Sequence, residues 1–265
     1  MSQAESSSAA VKSSGNVALE AVAADGWRQG ILVLLIVLAP IGLAVIVMAI
    51  GVAVRAAWQI AHGFSVEPLT PASMRLYGLL SYAVGSWIAV GLAWLWSARS
   101  EMRRDVFLFR KLTWPGLAAS IAGFMVVMFG VPIVTHWLTH VTGGHSQQVR
   151  IEFNDAHSVA IVVFLFVVTT PVSEEILYRG LLVAWLRRLG WKDSTILLLG
   201  SFIFAANHII PLGFIWGVAM VLLGVVLFAL RLRYESLSPA WLAHTLFNAQ
   251  LALSYPLIAW LALAF

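Results

Sequence analysis

The chain has 265 residues, of which 61% are apolar and only 11% charged, against about 25% charged in ordinary soluble domains. With a mean hydropathy of +0.91, this excludes a soluble globular domain, whose shell cannot be built from so few charges, and it excludes disorder over most of the length. The absence of cysteine removes disulfides, Cys-ligated zinc, iron–sulfur clusters and thiol nucleophiles. The net charge of +4 reads as membrane topology rather than nucleic-acid binding, because the basic residues sit between long apolar runs.

Residues 1–26 are rich in Ala and Ser and read as a disordered cytoplasmic tail without the apolar core of a signal peptide. The first apolar run, Ile31 to Val54, is 24 residues long and predicts a retained membrane helix. Further spans are predicted at 77–96, 114–135, 158–186, 195–210, 212–230, 238–254 and 256–265, the last short. The fifth and sixth touch at Ile209–Gly213, which requires a tight or re-entrant hairpin. The fold class is therefore all-α: a polytopic membrane bundle of about eight transmembrane helices, with seven as the main alternative. The expected organisation is a tail (1–26), N-terminal scaffold helices (27–157) and a C-terminal transmembrane core (158–265).

With the N-terminus cytoplasmic, that side holds Lys12, Arg28, Arg99, Arg103, Arg104, Arg110, Lys111, Arg187, Arg188, Lys192, Arg231 and Arg233. The other side holds Arg55, Arg75 and Arg150, and twelve against three puts both termini in the cytoplasm. Segment 99–113 mixes bases with Phe107, Leu108 and Phe109. It reads either as an interfacial stretch or as an ordinary basic loop. Many of the Trp residues fall at span ends, as an aromatic belt does. His136, His140, His145 and His157 follow the third span and read as solvated loop histidines, since no tight ligand spacing joins them.

Ionisable groups inside spans cost about 2.5–3.5 kcal/mol each on insertion scales. Here they are confined to the second half: Glu174, Glu175, Arg179, His208 and His244, with Asn207 and Asn248 beside them. In a helix, Glu175 and Arg179 share a face, while Glu174 lies about 100° round. One carboxylate can thus pair with the guanidinium while the other points into the bundle. Phe204 with His208, and His244 with Asn248, also share faces. A histidine shuttles protons near neutral pH, and an asparagine amide suits an oxyanion. The bland alternatives are a buried ion-pair lock for the Glu–Arg set and a packing role for a lone histidine. Together the residues read as an amide-hydrolysing site. The sequence holds no H-E-x-x-H pair, no G-x-S-x-G elbow, no P-loop and no Asp inside a predicted span.

E-E-x-x-x-R at Glu174–Arg179, F-x-x-x-H at Phe204–His208 and H-x-x-x-N at His244–Asn248 resemble, in order, the three motifs of the CPBP (ABI, CAAX prenyl protease type II) family of intramembrane endopeptidases. The resemblance covers about residues 158–250. It implies an eight-helix membrane fold in which Glu174 activates water with help from His208, and His244 and Asn248 stabilise the oxyanion. Glu175, Arg179 and Phe204 would support the site. It also implies a membrane-embedded or lipid-anchored protein or peptide as substrate, and a bacterial plasma membrane as location. The chemistry of the residues favours no cofactor. Glu174, His208 and His244 would suit zinc, but Glu174 would then be a ligand, with Glu175 the only base nearby. The rival readings are a proton-coupled transporter, which lacks the inverted repeat such folds carry, and a catalytically silent scaffold or immunity protein.

Overall fold

The computed structural model describes the backbone of residues 2–99, 102–144 and 156–264 and, within these, the side chains of 28–99, 102–144 and 159–253. Among the described residues there is no strand. The elements are α1 (Ser2–Ala61), α2 (Pro71–Arg99), the single turn α3 (Arg103–Val106), α4 (Trp114–Thr142), α5 (156–188), α6 (Asp193–Leu212), α7 (Phe214–Tyr234) and α8 (Ser238–Ala264). Among the described residues, six helices are long and apolar enough to cross a membrane: Arg28–Ala61 of α1, α2, α4, Val159–Arg188 of α5, α6 and α7. In lipid a helix satisfies its own backbone polar groups, so such apolar runs can only be helices or closed barrels. The protein is a helical membrane bundle. The tail side chains, and those of His145 and His157, lie outside the described residues.

Several boundaries differ from the sequence reading: α1 is helical from Ser2 and α2 runs Pro71–Arg99. The predicted spans 238–254 and 256–265 form one helix, Ser238–Ala264, which runs past Pro256 without a turn. The return of the C-terminus to the face of the N-terminus depended on that turn. The third span continues from 135 to Thr142, where Gly143 at φ 63° ends it in the left-handed conformation. His136 and His140 are therefore exposed helical residues, not loop residues.

α5 is not a plain α-helix. Wide, π-type turns at Val163–Thr169 and Glu175–Leu182 flank a short α-helical stretch, Thr170–Glu174. Pro171, which lacks an N–H, sits at the start of that stretch, so the rod passes it without breaking. The hydroxyls of Thr169 and Thr170 donate to the Leu165 carbonyl, at 2.8 and 2.9 Å. Such bulges collect at functional sites.

α5 and α7 are the most buried spans, and the core runs through Leu177, Leu181, Leu182, Leu223, Leu227 and Phe228. α6 and α7 pack backbone to backbone, since a Cβ on Gly224 would lie 2.9 Å from Ser201 Cα. At one end of the bundle Arg187 donates to both oxygens of Asp193 (3.1 and 3.0 Å) and of Glu235 (2.6 and 2.8 Å), tying α5, α6 and the α7–α8 turn together. The stretch after α3 closes the same end. Leu237 N donates to the Leu108 carbonyl at 2.9 Å. Arg110 N meets the hydroxyls of Ser236 and Ser238, each at 3.2 Å.

Candidate active site

The wide turn that opens at Glu175 faces the two adjacent carboxylates into different surroundings. Glu174 turns to a cavity of about 680 Å³, walled by Ile41 and Met48 of α1, Leu79 and Tyr82 of α2, and Trp216 of α7. Glu175 turns into the protein, where Arg179 NH1 donates to its Oε1 at 3.2 Å across one turn. Both carboxylates and the guanidinium are buried.

Glu174, His208, His244 and Asn248 all line this cavity. Glu174 Oε2 lies 3.6 Å from His244 Nε2 and 4.0 Å from His208 Nε2. His208 lies in the last turns of α6, which ends at Gly213 with φ 80°. Glu174 Oε1 accepts from the Tyr82 hydroxyl at 2.7 Å. Oε2 is buried and has no hydrogen-bond partner among the described residues.

The imidazoles are oriented from behind. His208 Nδ1 is 2.7 Å from the Phe204 carbonyl. That oxygen can only accept, so Nδ1 carries the proton and Nε2 presents its lone pair to the cavity. His244 Nδ1 lies 2.8 Å from Glu175 Oε1 and donates to it in the same way. Glu175 thus joins Arg179 to His244, a link beyond the pairing that helix spacing alone suggests. Asn248 donates one amide hydrogen to the Phe166 carbonyl at 2.8 Å, which leaves its second amide hydrogen for the cavity.

Phe204 is the hub beneath these groups. Its ring lies 4.2 Å from the Arg179 guanidinium carbon, 4.4 Å from the His208 ring and 6.0 Å from the His244 ring. The Arg179 guanidinium carbon also lies 4.5 Å from the Phe228 ring. The guanidinium is thus near two aromatic rings and has one carboxylate partner, Glu175.

Sequence reasoning missed three members of the site. Tyr82 comes from a span read as scaffold; its signal was a tyrosine inside a span rather than at the aromatic belt. Tyr178 accepts from Asn207 Nδ2 at 2.6 Å and packs edge-on against Phe204. The Phe166 carbonyl carries no side-chain signal at all. Ser201, the buried serine near this helix, donates to the Leu197 carbonyl at 2.6 Å and so is committed to its own helix.

One carboxylate and two imidazoles fixed at Nδ1 are a donor set that zinc accepts. Zinc bonds of 2.0–2.2 Å set neighbouring tetrahedral ligand atoms about 3.4 Å apart; here Glu174 Oε2 is 3.6 Å from His244 Nε2 and 4.0 Å from His208 Nε2. Among the described residues no group of three or more His, Asp or Glu side chains has the spacing to hold a metal ion.

A helical membrane bundle with a buried Glu, two His and an Asn on one intramembrane cavity defines a polytopic protein built around a polar site. Residues 156–250 match the family model described as type II CAAX prenyl endopeptidase, Rce1-like. The site-bearing part of the chain is similar to this family, the one its three motifs resemble. Comparison with curated proteins and with solved structures gives no match.

Proposed function

We propose that the protein is an intramembrane endopeptidase in which Glu174 activates water for attack on a peptide bond of a membrane-embedded or lipid-anchored substrate. One observation carries this reading: Glu174 Oε2 is buried and unpartnered among the described residues, faces two imidazole Nε2 atoms at 3.6 and 4.0 Å, and opens on an apolar-walled cavity. A water there has Oε2 and the His208 lone pair as acceptors for its protons. As the water oxygen bonds to the scissile carbonyl carbon, its proton passes to Glu174. The carbonyl oxygen becomes an oxyanion, met by Asn248 Nδ2 and by Nε2 of His244 as the imidazolium paired with Glu175. Collapse breaks the C–N bond, and the proton returns to the leaving nitrogen. In this reading no cofactor is used, and each polar residue has a role without one. The apolar α1 and α2 walls support a substrate that arrives from the membrane. Location in a bacterial plasma membrane with a cytoplasmic N-terminus is part of the proposal, supported by the gathering of Arg110, Arg187 and Arg231 at one end of the bundle.

The test is comparative proteomics of membranes carrying the active protein or Glu174→Gln. The reading expects new termini in membrane-associated proteins only with the active form. Identical terminal peptides in the two membranes contradict it.

A further inference from the structure

Tyr82 belongs to α2, outside the family-matched residues 156–250, yet its hydroxyl is 2.7 Å from Glu174 Oε1. We propose that Tyr82 is a positioning residue of the site, which holds the Glu174 carboxylate so that Oε2 alone faces the imidazoles and the water. The inference rests on the peptidase reading and deepens it. A glutamate carboxyl turns easily about its last torsion, and a cavity of about 680 Å³ gives it room to do so. Glu174 lines that cavity, and the polar groups near it divide cleanly. The phenol takes Oε1; the two imidazoles lie toward Oε2. A phenol is an apt clamp, because it donates a short, charge-assisted bond to a carboxylate and is not itself ionised near neutral pH. It reaches the site from α2, one of the spans that line the cavity. The N-terminal helices therefore contribute to the site directly, and residues 156–250 alone lack this donor.

The full-length protein, reconstituted in liposomes, is assayed with an internally quenched peptide ending in a prenylated CAAX sequence. Tyr82→Phe keeps the ring and removes only the hydroxyl. Its kcat should fall about 10–100-fold, the worth of a hydrogen bond to a charged group, with KM within about twofold and thermal stability retained. In a Glu174→Asp background, where the shorter side chain already withdraws from the phenol, the same change should cost less than about threefold. A readout free of substrate comes from infrared difference spectra: the carboxylate bands lost in Glu174→Gln should shift in Tyr82→Phe. Wild-type kcat in Tyr82→Phe, an equal loss in both backgrounds, or unshifted bands overturns the inference while leaving the peptidase reading intact. Full cleavage by Glu174→Gln overturns the peptidase reading instead, and the infrared bands then test the Tyr82–Glu174 contact alone.

Discussion

Arg179 shows how one buried charge serves the site through its neighbours. Its guanidinium pairs with Glu175, which in turn holds His244, and it lies against the rings of Phe204 and Phe228. Arg179→Ala removes a buried partner and should destabilise the protein by about 3–5 kcal/mol, read as a lower melting temperature in detergent together with lost activity. Arg179→Lys should not restore either, since a point charge cannot lie against two rings as a planar guanidinium does. Full activity in a normally expressed Arg179→Ala protein would refute this supporting role. Asn248 acts more locally. With one amide hydrogen held by Phe166, Asn248→Ala should lower kcat about 10²–10³-fold, as for loss of one oxyanion donor, with normal stability. Both residues were legible in the sequence, because four-residue spacing in a helix sets side chains on one face whatever else surrounds them. The Tyr82–Glu174 contact was not legible, since the partners are 92 positions apart and only the packed helices bring them together.

Among the elements, α5 depends on close contact with the turn after α2. A Cβ at Gly180, next to Arg179, would run into the Val106 carbonyl, and neither backbone has room to give. Gly180→Ala should therefore cost about 1–3 kcal/mol and lower activity with it. Gly91→Ala on α2, where a Cβ meets nothing, should be neutral in the same melting assay. The clamp at the end of α5 makes a pH prediction. Hydrogen bonds from Arg187 hold the Glu235 carboxyl below its ordinary value of 4.5. A carboxyl depressed in the folded state stabilises the fold above its unfolded pKa, and that contribution is lost as pH falls through the folded value. Glu235→Gln should thus melt below wild type at pH 7, and the gap should close as pH drops under 4.5. Because Glu235 is half exposed, the gap will be small. A gap that persisted unchanged into acid would show that the clamp is not electrostatic. The wide turns of α5 were not legible, since 163–169 is an apolar run like any other helix and Glu175 and Arg179 keep the four-residue spacing of an ordinary α-helix. α8 runs unbroken through Pro256, and other membrane helices carry proline too: α1, α4 and α6 at Pro40, Pro132 and Pro211.

At the scale of the whole molecule, hydropathy made the class of fold plain, because so few charges leave only the bilayer as solvent. The division of labour is less sharp than the placement of charges suggested. The second half supplies the Glu, His and Asn groups, while α1 and α2 supply cavity wall and the phenol against Glu174. Metal dependence is decided by the assembled protein rather than by any residue. If Glu174 is the base, activity should survive exhaustive chelation, and the purified protein should carry no stoichiometric zinc. Zinc bound one to one, with activity lost on chelation and restored by zinc, would reassign Glu174, His208 and His244 as ligands. The most direct measurement is hydrolysis of the quenched, prenylated CAAX peptide by liposomes holding wild-type protein or Glu174→Gln, with binding of the peptide followed in parallel. The account predicts turnover by wild type and none by Glu174→Gln, with peptide binding largely unchanged, because the amide keeps the shape of the side chain but takes no proton. Turnover by Glu174→Gln at the wild-type rate would contradict it.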